Sequence, residues 1–377
     1  MRPLLIIAAL VASATAWAAD WPMDRGNPQR TGVTAESLPA RPALVWKFKA
    51  DSPFEVGAAI VGGVAYAGTA KGFLYAIDID ASRTLWRARL RGGLAGTPCV
   101  DAGRLYYADG TGTIFCQDAA TTRTFWSLGT DSEIHSSPIV HGGRVLIGSY
   151  DQTLYAIDAA SGRIAWKHET QGPVHCGAAV DEKYAYIAGC DHVLRAIDLT
   201  SGTQAWQYTM ESYAAATPAI AGHTLYVAHF GGAVIAVDLA TRKLKWQYRP
   251  LPDAESFPFY ASCAATADRV IAGGRDRNVH CIDRATGRRV WEFATKGDVD
   301  ASPAVCGAGA PAGQQYVYAA SKDGTLYALD LATGEKIWQY VAGAPIQASP
   351  AVAEGKLVVG DREGNLYCFG TGGRPDK

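Results

Sequence analysis

The sequence predicts an all-β ring of eight four-stranded antiparallel blades, a β-propeller, and three observations predict it. Trp46, Trp86, Trp126, Trp166, Trp206, Trp246, Trp291 and Trp338 recur at spacings of 40, 40, 40, 40, 40, 45 and 47 residues. A fixed period near 40 marks stacked copies of one supersecondary unit. Between successive tryptophans lie four short apolar segments separated by turn residues, the make-up of one blade. The last unit supplies three such segments and then ends, while a spare one stands ahead of the first unit.

Composition sets the frame. Apolar residues form 48% of the 377 and charged residues 19%, which suits a packed globular chain and excludes wholesale disorder. Thirty-five basic against 36 acidic residues give a net charge of −1. A nucleic-acid partner is not expected, because neutralising phosphates needs a basic patch.

Residues 1–18 read as a secretory signal peptide. Arg2 supplies the positive charge, Leu4 to Ala12 the apolar run, and Ala16 and Ala18 flank Trp17 as small cleavage-site residues. That run is too short to span a bilayer, and no later segment reaches eighteen apolar residues in a row. Cleavage near Ala18 gives a periplasmic or secreted chain without a transmembrane segment. No Cys stands beside the site, so a lipid-modified N-terminus is not expected. Export permits disulfides among the eight Cys without requiring them.

Residues 19–42 form a leader segment, residues 43–370 the propeller and residues 371–377 a tail. The third unit shows the pattern. Ile134–Val140 reads as its first strand, His141–Arg144 as a turn, Val145–Gly148 as the second and Ser149–Gln152 as a loop. Thr153–Ile157 is the third strand, Asp158–Gly162 a turn and Arg163–Lys167 the fourth. Asp78, Asp118, Asp158, Asp198, Asp238, Asp283 and Asp330 open the turn before each tryptophan, where a short carboxylate can bond the backbone just ahead of it. Gly162, Gly202, Gly287 and Gly334 follow four residues later, where a positive φ costs Gly least. Ala43–Phe48 supplies the strand missing from the last unit, so pairing it near Asn365 to Phe369 closes the ring and removes open sheet edges. No linker marks a second domain, and a monomer is expected.

Ala156-Ile157-Asp158-Ala159-Ala160-Ser161-Gly162-x-x-x-Trp166 and Ala328-Leu329-Asp330-Leu331-Ala332-Thr333-Gly334-x-x-x-Trp338 resemble the tryptophan-docking motif of the PQQ-repeat propellers. The leader run Trp21 to Asn27 resembles that of uncharacterised exported members. The family joins non-catalytic outer-membrane assembly factors of the BamB type with quinoprotein dehydrogenases that use PQQ and calcium. The resemblance implies docking between blades for the eight tryptophans. The dehydrogenases carry two adjacent Cys over the cofactor, and no Cys-Cys pair occurs in this chain. Nor is there a C-x-x-C-H haem site, and the inserted loops are short: about five residues before Cys263 and the turn from Gly307 to Gln315.

Topology places the candidate site. Loops leading into first strands and those joining second to third strands meet at one face. That face collects His135, His175, Cys190, His192, Tyr213, His229, Phe230, Tyr260, Arg275 and Asp276. Aromatic groups with Arg are the residue types that anchor contacts, so this is the expected partner or ligand face. His135, His175, Cys176, Cys190 and His229 could also ligate a transition metal, although their spacing matches no short metal motif. Cys176 and Cys190 lie at facing ends of adjacent strands, and register decides whether they can bridge.

The reading that follows is an exported, non-catalytic scaffold or binding protein with no cofactor expected. Two alternatives stand beside it: a PQQ- or metal-dependent oxidoreductase, and an extracellular carbohydrate-binding propeller.

Overall fold

Alternating apolar strands of five or six residues, each ended by an Asp or Gly turn, cannot bury both faces alone and therefore stack. A computed structural model describes residues 20–251 and 257–372 and shows how. The signal segment 1–18, the loop residues Asp253–Ser256 and most of the tail lie outside those residues.

Thirty-two strands form eight four-stranded antiparallel sheets. Blades 1 to 7 span residues 59–89, 99–129, 139–169, 179–209, 219–248, 264–294 and 304–341. Blade 8 takes three strands from 351–370 and its outermost from Ala43–Lys49. Ala43 faces Gly370, Trp46 faces Cys368 and Lys49 faces Asn365, so the ring closes as the sequence predicts. No helix is present among the described residues.

The turns behave as expected, with one refinement. The Asp158 carboxylate accepts from Ser161 N–H at 2.8 Å, three residues on, and Gly162 follows at φ 75°. Ser82 and Arg242 hold the same slot at positive φ, whereas Thr122 does not. Six tryptophans donate an indole N–H to the carbonyl just after that Asp in the next blade. Trp166 reaches Leu199 at 3.0 Å and Trp291 reaches Leu331 at 2.9 Å. Gly202 lies against the Trp166 ring, where any Cβ would collide with it. The small residue two before each Asp has a different duty. Ala156 is the cross-strand partner of Trp166 within its own blade, so it leaves room for that ring.

The innermost strands are shorter than predicted. In blade 3 the ladder covers Ile139–His141, and residues 134–138 run along the channel without ladder partners. There the blades join through hydroxyls. Thr97 N–H donates to Ser137 Oγ, Gly177 to Thr217, Thr217 to Ser262, Ser262 to Ser302, and Ser302 to Ser349, all between 2.9 and 3.0 Å. These positions recur once per blade, and hydroxyls hold six of the eight places in this ring around the axis, with Gly57 and Gly177 in the other two.

The leader closes one end of that axis. Ile60 exchanges two 2.8 Å backbone bonds with Trp21. Val100 donates to Pro22, Val180 to Pro28, Ile220 to Gln29, Ala265 to Thr31 and Val305 to Gly32, between 2.7 and 2.9 Å. Each donor is the second residue of an innermost strand, so the leader follows the ring from blade to blade. Blade 3 is held by Arg30, whose Nη2 donates to Ser137 and Pro138 carbonyls at 3.1 Å. Blade 8 is held by Glu36, which accepts from Gly355 N–H. Arg25 and Arg30 are fully buried. Arg25 donates to the Cys263 and Pro303 carbonyls, and burial pulls its pKa down to about 10. A Cβ at Gly32 would run into the Arg25 guanidinium, which explains a glycine there at φ 66°.

Candidate functional site

Two residues before the hydroxyl ring, each blade presents one side chain to the axis. Going round, these are Glu55, Ala95, His135, His175, Ala215, Tyr260, Asp300 and Gln347, and all eight line the channel. Above them opens a mouth of about 620 Å³, and below lies a neck of about 150 Å³ floored by Asp24 of the leader. The channel is therefore a funnel, open at the predicted face and closed at the other.

On one side of the mouth the rings form a continuous arc. His135 and His175 stack with centroids 5.6 Å apart, and Tyr150 packs on both. Tyr150 Oη lies 2.6 Å from His175 Nδ1, and Tyr260 Oη lies 3.3 Å from His175 Nε2, reaching past the small Ala215. Both His175 nitrogens are thus engaged. Burial, reinforced by His135, holds its pKa down at about 4, so the ring is neutral. Phe230 meets Tyr260 edge-on at 6.0 Å and stacks with Tyr213 at 4.5 Å, and His192 continues the arc beside Tyr213. Arg275 lies over Tyr260 at 5.1 Å and Phe230 at 5.8 Å.

Ion pairs complete the mouth. Arg275 donates to both Asp300 oxygens at 2.8 and 3.0 Å, Lys322 reaches Asp300 at 2.6 Å, and Arg362 reaches Glu55 at 3.2 Å. His135 meets Glu133 at 3.1 Å.

The structure brings together His135, His175, Tyr213, Phe230, Tyr260 and Arg275, with Cys190 half-buried and His192 exposed nearby. Two predicted face residues turn inward instead. His229 is fully buried, with Nδ1 accepting from Gly231 N–H, and burial lowers its pKa to about 4. The Asp276 side chain is 6% exposed and lies 3.0 Å from His280. Asp276 belongs to a loop device repeated on other blades, in which an Asp holds the side chain four residues on. Asp151 does so with Tyr155, Asp323 with Tyr327, and Asp191 with Arg195.

The suggested metal ligands do not converge. Cys176 is buried, donates to the Ala188 carbonyl at 3.0 Å, and has its pKa raised by burial to about 12. Among the described residues no group of three or more His, Cys, Asp or Glu side chains is arranged to hold a metal ion. All eight Cys are free, so Cys176 and Cys190 are not bridged.

Sequence reasoning missed Glu55, Asp300 and Gln347, although they occupy the repeat position of His135. It also missed the buried Arg25 and Arg30, whose role no local pattern announces.

Comparison with known proteins fits this architecture. The family described as outer membrane protein assembly factor BamB matches residues 37–127, 94–176, 171–292 and 275–372. BamB from Moraxella catarrhalis is 18% identical, covers 87% of this chain and 99% of its own, and superposes with a TM-score of 0.72. The computationally designed Ika8 protein is 17% identical over 87% of this chain and 99% of its own, with a TM-score of 0.76. Quinohemoprotein alcohol dehydrogenase from Comamonas testosteroni is 14% identical over 95% and 81%, with a TM-score of 0.83. At these identities the likeness is one of fold. No curated protein matches at the sequence level.

PQQ, the cofactor of the dehydrogenases, is a planar tricarboxylate. Three carboxylates line the mouth, Glu55, Glu133 and Asp300, against two arginines, each already paired with one of them. Lys322 is likewise paired, with Asp300, so a trianion on its own would meet no unpaired arginine in the mouth and would have to displace those pairs.

Proposed function

Because the chain belongs to the PQQ-repeat propeller family of the BamB-type assembly factors, we propose that it is a non-catalytic scaffold that holds a protein partner at its open rim. The observation that carries this is the exposed aromatic cluster of the fifth and sixth blades. Tyr213 is 40% exposed and stacks on Phe230, over which Arg275 lies, and Phe257, 45% exposed, lines a cleft with Arg275. Large apolar groups with Arg on a rigid support are the usual anchors of interfaces. Nothing in the blade packing requires them, since the docking tryptophans and the leader already tie the ring together. The signal-like segment supports action outside the cytoplasm.

Photo-crosslinking in the exported fraction tests this. p-Benzoylphenylalanine at position 213 should give a discrete protein adduct that weakens at least about tenfold when Phe257 becomes Ala, as expected for an interface anchor. The same probe at His141, in a hairpin turn at the closed end, should give none. Adducts from position 141 and none from 213 would contradict the proposal.

A further inference from the structure

We propose that the funnel inside the rim is a binding site for a neutral polyhydroxylated ligand, a short segment of saccharide. It shares the open end with the protein-contact reading but uses deeper residues. Three independent features point to that chemistry.

The first is charge. Each arginine lining the mouth is paired with a carboxylate that also lines it, Lys322 joins the Asp300 pair, and Glu133 lies beside His135, so the wall offers fixed hydrogen-bonding groups whose charges are largely paired. Paired charges of this kind suit a ligand that both donates and accepts.

The second is the hydroxyl ring. Ser137, Thr217, Ser262, Ser302 and Ser349 each use a lone pair to accept a backbone N–H from the preceding blade. Their own O–H hydrogens have no acceptor among the described residues, and four of the five line the neck. Gln347, one level above, forms no side-chain hydrogen bond among the described residues and presents an amide carbonyl and an NH2 to the funnel. Such an array is idle in a purely structural channel. It is well matched to a ring-shaped polyol, each hydroxyl of which donates once and accepts twice.

The third is the aromatic wall. Tyr260 lines both the mouth and the neck and is held by His175 on its hydroxyl and by Arg275 on its ring. The C–H face of a pyranose packs on such a ring while its edge hydroxyls reach the polar groups opposite. A mouth of about 620 Å³ lies in the size range of small-molecule sites.

The test is calorimetric titration of the full exported chain with three neutral probes: maltotriose, cellotriose and tri-N-acetylchitotriose. At least one should bind with a Kd below about 1 mM, the weak end of specific recognition. Tyr260→Ala should weaken it at least about tenfold and Gln347→Ala about threefold, with Tyr260→Phe close to the parent. His141→Ala should leave it unchanged, and a matching thermal transition shows that each variant is folded. Absence of binding to all three probes overturns the proposal. So does binding that survives Tyr260→Ala, or binding confined to sulfated or uronic-acid oligosaccharides. A crosslinked partner at position 213 without saccharide binding would reject this site and leave the scaffold reading standing.

Discussion

The two ends of the channel are built from different bonds. At the closed end the leader meets the innermost strands through main-chain N–H and C=O groups, and two fully buried arginines satisfy carbonyls from blades 3, 4, 6 and 7. At the open end no such segment crosses the axis among the described residues. Neighbouring blades are joined there by single main-chain bonds between loops, such as Leu94 to Thr69 and Val174 to Ser149, and most of the side chains around the axis meet as rings and ion pairs. The difference teaches which end is committed to stability. Backbone ladders and buried guanidinium groups cannot be released without orphaning polar atoms, whereas half-exposed side chains can exchange partners.

Breaking the closed end should have the largest effect. Arg30→Ala removes the side chain that satisfies the Ala178, Ser137 and Pro138 carbonyls and leaves a void. A loss of about 5 kcal/mol is expected, from unsatisfied carbonyls plus the cavity. Urea denaturation of the variant checks it.

The docking tryptophans come next, and they sharpen the comparison around the ring. Trp166 is 9% exposed, bonds to Leu199 and lies under Gly202. Trp166→Ala should cost roughly 3–5 kcal/mol. Trp338 faces the closure seam, where blade 8 takes its outer strand from the N-terminal side and no Asp-Gly turn follows. It is half-buried and contacts Phe369 edge-on. Trp338→Ala should cost about half as much, on the same cavity reasoning. Equal losses would show that the seam is as tightly docked as the other joints.

Acid should probe the open end. The folded pKa of His175, about 4, lies below its ordinary value because burial disfavours the imidazolium. The unfolded chain therefore binds more protons between those values, and stability falls as pH drops from about 6.5 through 4. The stabilisation is fully present above about 6.5. A loss of about 2–3 kcal/mol across that window is expected from His175, with a similar contribution from the buried His229, which shifts in the same direction. His175→Gln should flatten the profile by about half.

The smallest effect is expected at the rim. Tyr213→Ala should change stability by less than about 0.5 kcal/mol, because the side chain is exposed and bonded to nothing in the core. A loss near 2 kcal/mol would mark the cluster as a packed plug and undercut the scaffold proposal.

Much of this was legible in the sequence because it rests on repetition. The tryptophan period, the Asp-Gly turns and the spare strand at Ala43–Phe48 define the ring without reference to side-chain direction. The open face was legible by the same topology, which gathered His135, His175, Tyr213, Tyr260 and Arg275. His229 and Asp276 were misplaced because strand ends alternate inward and outward with period two, and one residue of register decides the side. For Asp276 a signal existed: the Asp-x-x-x-Tyr spacing of Asp151 and Tyr155 repeats as Asp276 and His280. Buried Arg25 and Arg30 had no such signal, since arginine is almost always exposed unless its donors find partners that only the assembled ring supplies.

The asymmetry of the two ends is the central claim, and amide hydrogen exchange of the full chain tests it most directly. Val100, Val180, Ile220, Ala265 and Val305, whose N–H groups donate to the leader, should exchange only through global unfolding. The amides of Ser132 and Glu133 at the open mouth, where the chain forms no ladder, should exchange orders of magnitude faster. Exchange of the leader-bonded amides at the rate of those mouth residues would show that the leader does not seal the channel and would contradict the account.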